Sequence, residues 1–240
     1  MYVDASLAPG RELALAPATE HYLTRVLRLG VGGQVALFDG RGHEYLARLV
    51  AVARRKAVVV IDRPLLRELE SPLALTLVQA VSRGERMDYT LQKAVELGVS
   101  RIVPVLARRS PPQPSGERAG KRGAHWQGVV IAACQQCGRS LLPELQPLRP
   151  LLAWLAAMPS NSQRSYVLDP AGARRLRSEP PPPGPLLLLV GPEGGLDGEE
   201  LAAATTAGFL PLALGPRLLR TETAGVAALA ALQALWGDLG

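Results

Sequence analysis

The sequence predicts an α/β protein with a mainly parallel sheet, preceded by a smaller β-rich module. Two observations lead to this prediction. Short strand-like runs joined by glycine turns occupy residues 34–62, whereas from residue 73 onward apolar runs alternate with helical patterns. A parallel strand is buried on both faces, so it is a continuous apolar run rather than an alternating one.

The N-terminal module is predicted to be one helix followed by antiparallel strands. Residues 18–29 carry apolar side chains at helical spacing. Turns such as DGRG at 39–42 then join three strand-like runs, which are Gln34–Phe38, Tyr45–Ala53 and Ala57–Asp62. The module is expected to end at about residue 70.

The second part starts with the almost unbroken apolar strand Leu73–Val81. Asp88 is expected to cap the next helix, which runs to Leu97, and Gly98 supplies its left-handed stop. The remaining predicted elements follow in alternation: strand Arg101–Leu106, helices Gly120–Gly138 and Leu151–Met158, strand Tyr166–Asp169, a stiff proline-rich linker at 179–185, strand Leu186–Val190, helix Gly198–Ala207, strand Phe209–Leu214 and helix Thr223–Leu239.

The charge pattern favours a polyanionic partner. The chain of 240 residues carries a formal net charge of +6 at pH 7. Residues 73–150 hold eleven basic against five acidic residues, so this middle segment carries the whole excess. Clustered positive charge is typical of a face that meets nucleic acid. Arginine far outnumbers lysine in this chain. A coding bias toward arginine therefore explains part of the positive charge as well as a polyanionic partner does.

Size and hydropathy exclude some classes of protein. The length fits two modest domains. The longest apolar runs, such as Leu186–Val190, are too short to cross a bilayer. The N-terminal stretch MYVDASLAPG lacks the basic and apolar regions of a secretion signal. We therefore expect a soluble, cytoplasmic protein.

Cys134 and Cys137 form a single CxxC pair. Zinc needs four ligands, and the three histidines show no ligand spacing. A redox CxxC normally follows a strand and opens a helix, whereas this pair closes a helical pattern. The two cysteines are therefore interpreted as ordinary helix residues, and no metal is expected.

Two of the predicted strands end in loops that contain more glycines and charged residues than a simple connection requires. Leu186–Val190 leads into GPEGGLDGEE, and Phe209–Leu214 leads into GPRLLRTETA. In open α/β sheets, ligands bind beyond the carboxyl ends of the strands. Glycines in both loops allow backbone groups to approach a ligand closely. These loops are therefore the predicted binding site.

The first loop does not match the phosphate-binding patterns GxxxxGK[ST] or GxGxxG, which argues against an enzyme that uses nucleotide phosphates. Glu193 inside the loop suits a ligand with an amine, a ribose or a positive centre instead. Asp197, Glu199 and Glu200 are explained by the dipole of the following helix, but that explanation does not extend to Glu193.

In the second loop, Thr221 or Thr223 can cap the last helix, and Glu222 suits its positive end. Capping leaves Arg217 and Arg220 unexplained. Two guanidiniums at this end oppose the helix dipole, so we expect them to meet something anionic.

Several segments together resemble the RsmE family of SPOUT methyltransferases, which act on N3 of uracil in 16S rRNA. The matching segments are FDGRG at 38–42, SRGERMDYTLQKAVELGVSRIVPV at 82–105, HWQGVVIAACQQCGR at 125–139, and the loops LVGPEGG and LGPRLLRTETA. The proline-rich stretch 108–117 departs from the family pattern, as do Gly225 and Val226 more mildly.

The resemblance implies an N-terminal PUA-like β-barrel over residues 1–70 for RNA. It also implies a SPOUT domain over 73–240, with a deep C-terminal trefoil knot that binds S-adenosylmethionine. Knots are almost absent from proteins, so the family likeness alone carries that expectation. It places the cofactor against Leu168, Leu189, Val190, Gly191, Pro192, Glu193, Gly194, Leu214, Gly215, Leu218, Leu219, Arg220 and Thr223.

The same resemblance implies a homodimer, with the apolar face of the last helix as a possible seam. Val226, Leu229, Leu232 and Trp236 form that face, and an intramolecular core explains it equally well. The implied substrate is the uridine at position 1498 of 16S rRNA in the small ribosomal subunit.

For catalysis, we hypothesise that Arg220, with Arg217, favours the uracil anion. Glu222 would orient Arg220 or accept the proton, or would merely form a salt bridge with Arg220. The RNA backbone is expected to meet a set of basic residues, namely Arg25, Arg28, Arg83, Arg86, Lys93, Arg108, Arg109, Lys121, Arg122 and Arg139. Lys93 has an alternative partner in Glu96 on its own helix. A non-catalytic RNA-binding or ribosome-assembly protein on the same scaffold is the alternative function.

Overall fold

The computed structural model describes residues 1–53, 56–112, 117–159 and 163–240. Within these ranges the chain forms two units. The first contains Met1–Glu70 together with Cys134–Leu142, and the second contains Ser71–Ala133 and Pro143–Gly240. Residues 113–116 of the proline-rich stretch 108–117 lie outside the described residues.

The first unit is built on antiparallel strands, which are β1 (Glu12–Ala14), β2 (Gln34–Phe38), β3 (Glu44–Ala53) and β4 (Lys56–Leu65). They pair in the order β1-β4-β3-β2. A short helix, α1 (Pro17–His21), continues as a π-helical turn through Val26, and its Leu23 is fully buried in the core of this unit. The predicted helix and three strands are confirmed with small shifts at their ends, whereas β1 was not predicted.

The second unit contains a seven-stranded parallel sheet. Its strands are β5 (Leu75–Ala80), β6 (Arg101–Leu106), β7 (Glu144–Leu145), β8 (Arg149–Pro150), β9 (Arg164–Leu168), β10 (Leu186–Val190) and β11 (Leu210–Leu212). Six of them run in the order β11-β9-β10-β5-β6-β7, and β8 pairs with β6. Every pairing is parallel, so the predicted sheet type is confirmed.

The apolar runs of the sequence lie at the centre of this sheet. All five residues of β10 are buried, and its two neighbours β9 and β5 are mostly buried as well. Leu189, Val78 and Phe209 belong to one core cluster in which each is fully buried. A strand between two parallel neighbours is covered on both faces, which explains the unbroken run of leucines.

The helices of the second unit are α2 (Glu85–Glu96), α4 (Leu151–Ala156), α5 (Gly198–Thr206), α6 (Thr221–Trp236) and all but the last four residues of α3 (Glu117–Cys137). Helix α2 ends at Glu96, and Gly98 shortly after it has a φ of +75°, which is the left-handed stop that was predicted. The prediction that Asp88 caps α2 is wrong. The helix begins three residues earlier, after Gly84, and the Asp88 carboxylate contacts His125 at 2.6 Å.

The predicted cap of α6 is also wrong. Neither Thr221 nor Thr223 caps the helix, because it begins at Thr221 and the position before it, Arg220, makes no side-chain cap. The hydroxyl of Thr221 has another partner, described below. Leu229 and Leu232 of α6 are fully buried within the single chain, which supports the intramolecular explanation of those two residues.

The segment after β9 is hydrogen-bonded to β11 and to the residue that follows it. The Asp169 N–H donates to the Leu212 carbonyl at 3.0 Å, and the Ala213 N–H donates to the Arg174 carbonyl at 3.1 Å. Glu179 anchors this segment, since its carboxylate accepts hydrogen bonds from Arg164, Tyr166 and Arg174. The chain between β9 and β10 is therefore hydrogen-bonded to a strand that occurs later in the sequence.

The two cysteines lie in the last turn of α3, as the sequence analysis predicted. Burial raises the pKa of the Cys134 thiol to about 12, which disfavours the reactive thiolate. Within the described ranges, no group of side chains is arranged to hold a metal ion. Among the helices described, none combines the length and apolar character that crossing a membrane requires.

Candidate functional site

A cleft lies where β9, β10 and β11 end, at the predicted edge of the sheet. It encloses a cavity of about 170 Å³. The lining residues come from the loop after each strand, from α5 and from the start of α6. They are Leu168, Asp169, Pro170, Val190, Gly191, Pro192, Glu193, Gly195, Leu196, Leu201, Leu212, Leu214, Gly215, Arg217, Leu218, Leu219, Thr221 and Ala224.

Thr221 joins the two predicted loops. Its hydroxyl donates a hydrogen bond to the Gly191 carbonyl at 2.6 Å. Beneath it, the fully buried Gln79 donates from Nε2 to the Thr221 oxygen at 3.3 Å and to the Ala80 carbonyl at 2.9 Å. The end of β5, the loop after β10 and the start of α6 are thus connected by consecutive hydrogen bonds.

The backbone favours glycine at two positions of the loop after β10, which we call the glycine loop (Gly191–Leu196). A Cβ on Gly191 would lie 3.1 Å from the Leu196 nitrogen, so the loop is folded against its own backbone. Gly195 has a φ of +70° and donates to the Pro192 carbonyl at 2.8 Å, which closes a tight turn. The bare backbone of this loop therefore forms one wall of the cleft.

The carboxylate of Glu193 is held within the protein rather than left free for a ligand. Its Oε1 accepts a hydrogen bond from the Arg83 backbone N–H at 2.9 Å and another from Arg86 Nη1 at 2.9 Å. Burial opposes ionisation of Glu193, but these hydrogen bonds outweigh it and keep its pKa below the ordinary value. The predicted pairing of this carboxylate with a ligand amine or ribose therefore has a competitor that the sequence did not reveal.

Arg86 also faces Glu222, at 3.7 Å from Nε to Oε1. The other carboxylate oxygen of Glu222 is buried and has no hydrogen-bond partner. The hypothetical salt bridge between Glu222 and Arg220 is not among the ion pairs of the described residues, and Arg86 occupies that role instead. Glu222 thus keeps one acceptor oxygen unused.

Arg217 and Arg220 are exposed beside the cleft. Arg217 lines it, whereas Arg220 lies just before α6 and outside the lining. Within the described ranges, neither guanidinium takes part in an ion pair or hydrogen bond. Both therefore remain available for an anionic partner, and their contact with one stays a prediction.

Two of the predicted RNA-contacting arginines instead brace the glycine loop and α5. Arg109 Nη1 donates to the Gly194 carbonyl at 2.8 Å, and Arg108 pairs with Asp197 at 3.0 Å and with Glu199. Asp197 forms a reciprocal capping box with Glu200, so the interpretation of these acids as helix-start residues is confirmed.

The other predicted RNA contacts fall into three groups. Arg139 is only 4% exposed and forms a hydrogen-bonded pair with Glu70, so an RNA contact for its side chain is contradicted by burial. Lys93 pairs with Glu96 at 2.8 Å, which confirms the alternative partner. The remaining residues are exposed or half-buried at the surface; they are Arg25, Arg28, Arg83, Arg86, Lys121 and Arg122.

Most of the predicted cofactor residues line the cleft, and four do not. Leu189 points into the hydrophobic core, Thr223 is exposed, Gly194 packs against Arg109, and Arg220 precedes the helix. Lining residues that were not proposed as cofactor contacts are Asp169, Pro170, Gly195, Leu196, Leu201, Leu212, Arg217, Thr221 and Ala224. Asp169 and Pro170 could have been predicted, because they directly follow a strand end in the sequence. Nothing in the sequence indicated that Leu201 on α5 lines the cleft.

Comparisons with known proteins agree with this geometry. A family model described as an RNA methyltransferase domain matches residues 69–233, and one described as an RNA methyltransferase PUA domain matches residues 20–62. Ribosomal RNA small subunit methyltransferase E of Buchnera aphidicola is 31% identical over 239 residues, which cover 100% of this chain and 97% of that protein. The protein of the same name from a Synechocystis species is 32% identical, over 93% of this chain and 73% of its own length.

A solved structure is similar over the full length. It is the crystal structure of ribosomal RNA small subunit methyltransferase E from Neisseria gonorrhoeae bound to S-adenosyl methionine. That protein is 40% identical, the match covers 100% of this chain and 98% of that chain, and the TM-score is 0.92.

Proposed function

Since the chain belongs to the RNA methyltransferase family that includes ribosomal RNA small subunit methyltransferase E, we propose that it methylates N3 of one uridine in 16S ribosomal RNA. The proposed methyl donor is S-adenosylmethionine, and the family likeness indicates the uridine at position 1498. The observation that carries the proposal is the hydrogen bond from Thr221 to Gly191, which joins two glycine-bearing loops around one cleft.

The residues of the cleft fit this donor. Apolar side chains of Val190, Leu214 and Leu219 offer surfaces for an adenine ring, and the glycine loop presents backbone groups to a ribose. A Cβ at Gly191 would press against the Leu196 backbone, so the present shape of this wall depends on the absence of a side chain at Gly191.

We also propose that the C-terminal part is knotted. The hydrogen bonds from Asp169 to Leu212 and from Ala213 to Arg174 support a chain path in which β11 passes through the loop formed by the segment that follows β9. The strand order β11-β9-β10 agrees, because β11 pairs with the earlier strand β9 rather than with β10. Such a path would fix the three cleft-forming loops relative to one another.

The chemistry requires a uracil anion and a well-placed methyl group. S-adenosylmethionine supplies a methyl group that its sulfonium already activates. The protein must orient the base and favour loss of the imide proton from N3. We assign the unpaired guanidinium of Arg220, with Arg217 beside it, to the negative charge that develops on the uracil oxygens. Glu222 has a buried acceptor oxygen without a partner, which supports a role in accepting the proton.

The proposed substrate is held by the basic surface and by the N-terminal module. Residues 1–70 would act as a PUA-like RNA-binding domain and 73–240 as the methyltransferase domain. A homodimer in the cytoplasm completes the proposal, and the exposed Leu218 beside the cleft and Leu235 on α6 offer apolar surface to a second copy. The uridine must be unpaired or flipped out to reach the cleft.

The test is methyl transfer to 16S rRNA in small ribosomal subunits that lack this modification. We expect the purified protein with labelled S-adenosylmethionine to produce 3-methyluridine, identified by mass spectrometry of the nucleosides and mapped to one position. Binding of the subunit without methyl transfer would support the non-catalytic alternative and would refute the proposed activity.

A further inference from the structure

Arg86 is the one described side chain that contacts acids from both loops of the cleft. It lies in the first turn of α2, and its Nη1 is 2.9 Å from Glu193 of the glycine loop. Its Nε is 3.7 Å from Glu222 in the first turn of α6. Arg86 does not itself line the cleft.

Both acids have Arg86 as their ion-pair partner. Their side chains are only 25% and 15% exposed, and within the described ranges neither has another ion-pair partner. Two carboxylates that share one arginine repel each other when the arginine is removed, and partial burial strengthens that repulsion. The same Oε1 of Glu193 also accepts a hydrogen bond from the Arg83 backbone N–H, so a shift of Glu193 would release the glycine loop from the segment between β5 and α2.

We propose that Arg86 is a positioning residue for the methyl donor, which holds the glycine loop against the start of α6 through Glu193 and Glu222. This inference rests on the proposed function of the cleft. It replaces the expectation that Arg86 binds RNA, because its guanidinium is already engaged by two carboxylates. Arg83, three residues earlier, is exposed and its guanidinium has no partner among the described residues, so Arg83 keeps the RNA role.

The experiment is calorimetric titration with S-adenosylmethionine in the absence of RNA. We expect R86A to bind the donor about tenfold more weakly than the wild type, equivalent to about 1.4 kcal/mol. R86K should recover part of the affinity, because the lysine ammonium can pair with one of the two carboxylates. It lacks the branched guanidinium that contacts both. R83A should bind the donor as the wild type does, and should raise the KM for RNA instead.

Arg101 provides a matched control. It forms an exposed ion pair with Glu144 at 2.7 Å in the same unit and does not line the cleft. R101A should leave both donor binding and methyl transfer unchanged. Thermal unfolding of each variant shows whether it is folded, and if R86A does not fold, the comparison of R86K with the wild type decides the question.

A double mutant separates positioning from a general loss of structure. E193Q removes one of the repelling charges, so R86A/E193Q should bind the donor more tightly than R86A alone. Unchanged affinity in R86A and R86K, or no gain from E193Q, would overturn the role of Arg86. A wild-type protein that does not bind the donor at all would instead refute the proposed function of the cleft.

Discussion

The hydroxyl of Thr221 lies 2.6 Å from the carbonyl oxygen of Gly191, a residue 30 positions earlier in the chain. Thr221 is buried, and the same hydroxyl accepts a hydrogen bond from Gln79. One side chain therefore connects the ends of β5 and β10 to the start of α6. The walls of the cleft depend on this connection.

Replacing Thr221 by valine should loosen the cleft. Valine keeps the shape of threonine but removes the donor to the Gly191 carbonyl and one of the two acceptors of the Gln79 amide, which costs about 1–3 kcal/mol. We expect donor affinity to fall about tenfold or more in calorimetry. T221S should bind nearly as the wild type does. T205V is the control, since the Thr205 hydroxyl donates only to its own helix at Leu201, and equal losses in both valine variants would contradict the prediction.

Arg220 should be essential for methyl transfer and dispensable for donor binding. Its guanidinium has no partner within the described residues, so R220A should fold normally. Loss of a group that stabilises charge in the transition state lowers kcat by about a hundredfold. Single-turnover methylation and donor calorimetry measure the two effects separately. Arg177 is also exposed and lies outside the cleft, so R177A is the control, and a fully active R220A would exclude the assigned role.

A methyl group at Gly191 should force a shift of the backbone at Leu196, whereas one at Gly198 should be accommodated without a shift. A Cβ on Gly191 would lie 3.1 Å from a backbone nitrogen, and one on Gly198 meets nothing within 4 Å. G191A should therefore displace the glycine loop and weaken donor binding about tenfold or more. G198A adds a helix-favouring residue at the start of α5 and should bind normally. Equal affinity in the two variants would mean that the loop does not shape the site.

The ion pairs of Glu179 should stabilise the protein above acidic pH. Burial opposes ionisation of Glu179, but hydrogen bonds from Arg174 and Tyr166 outweigh it, so its pKa lies below the ordinary 4.5. The contribution is thus present above the unfolded-state pKa and is lost as the pH falls through the folded-state pKa. E179Q should lower the free energy of unfolding by about 2 kcal/mol at pH 7, and the difference should shrink below about pH 4.5.

Glu144 supplies the matched control for Glu179. It also accepts from an arginine, but its side chain is 54% exposed. E144Q should change the free energy of unfolding by less than about 1 kcal/mol. Denaturant unfolding at several pH values measures both variants. A difference between E179Q and the wild type that grows as the pH falls would contradict the predicted direction of this pH dependence.

The sheet and the position of the cleft at the strand ends could be predicted from the sequence, because each depends on local patterns. The leucines of Leu186–Val190 predict a buried parallel strand, and the glycines after it predict a ligand loop. Side-chain contacts between residues that are far apart in the sequence could not be predicted in this way. Arg86 was grouped with RNA contacts and Thr221 with helix caps, since neither periodicity nor spacing shows which acid or carbonyl a side chain meets.

The surface arginines show the same limit. Arg83 and Arg86 are equivalent in the sequence, yet only the structure distinguishes a guanidinium that is paired from one that is not. Arg139 was expected at the surface and lies buried against Glu70. A charge count predicts a basic segment, but packing decides which of its members can reach a partner.

A crystal structure of this protein grown with S-adenosylmethionine addresses the central claim most directly. We predict that the adenosyl group lies between the loops that follow β10 and β11, in contact with Gly191 and Leu219 and bordered by Leu168. Density for the compound anywhere else on the chain would contradict that assignment.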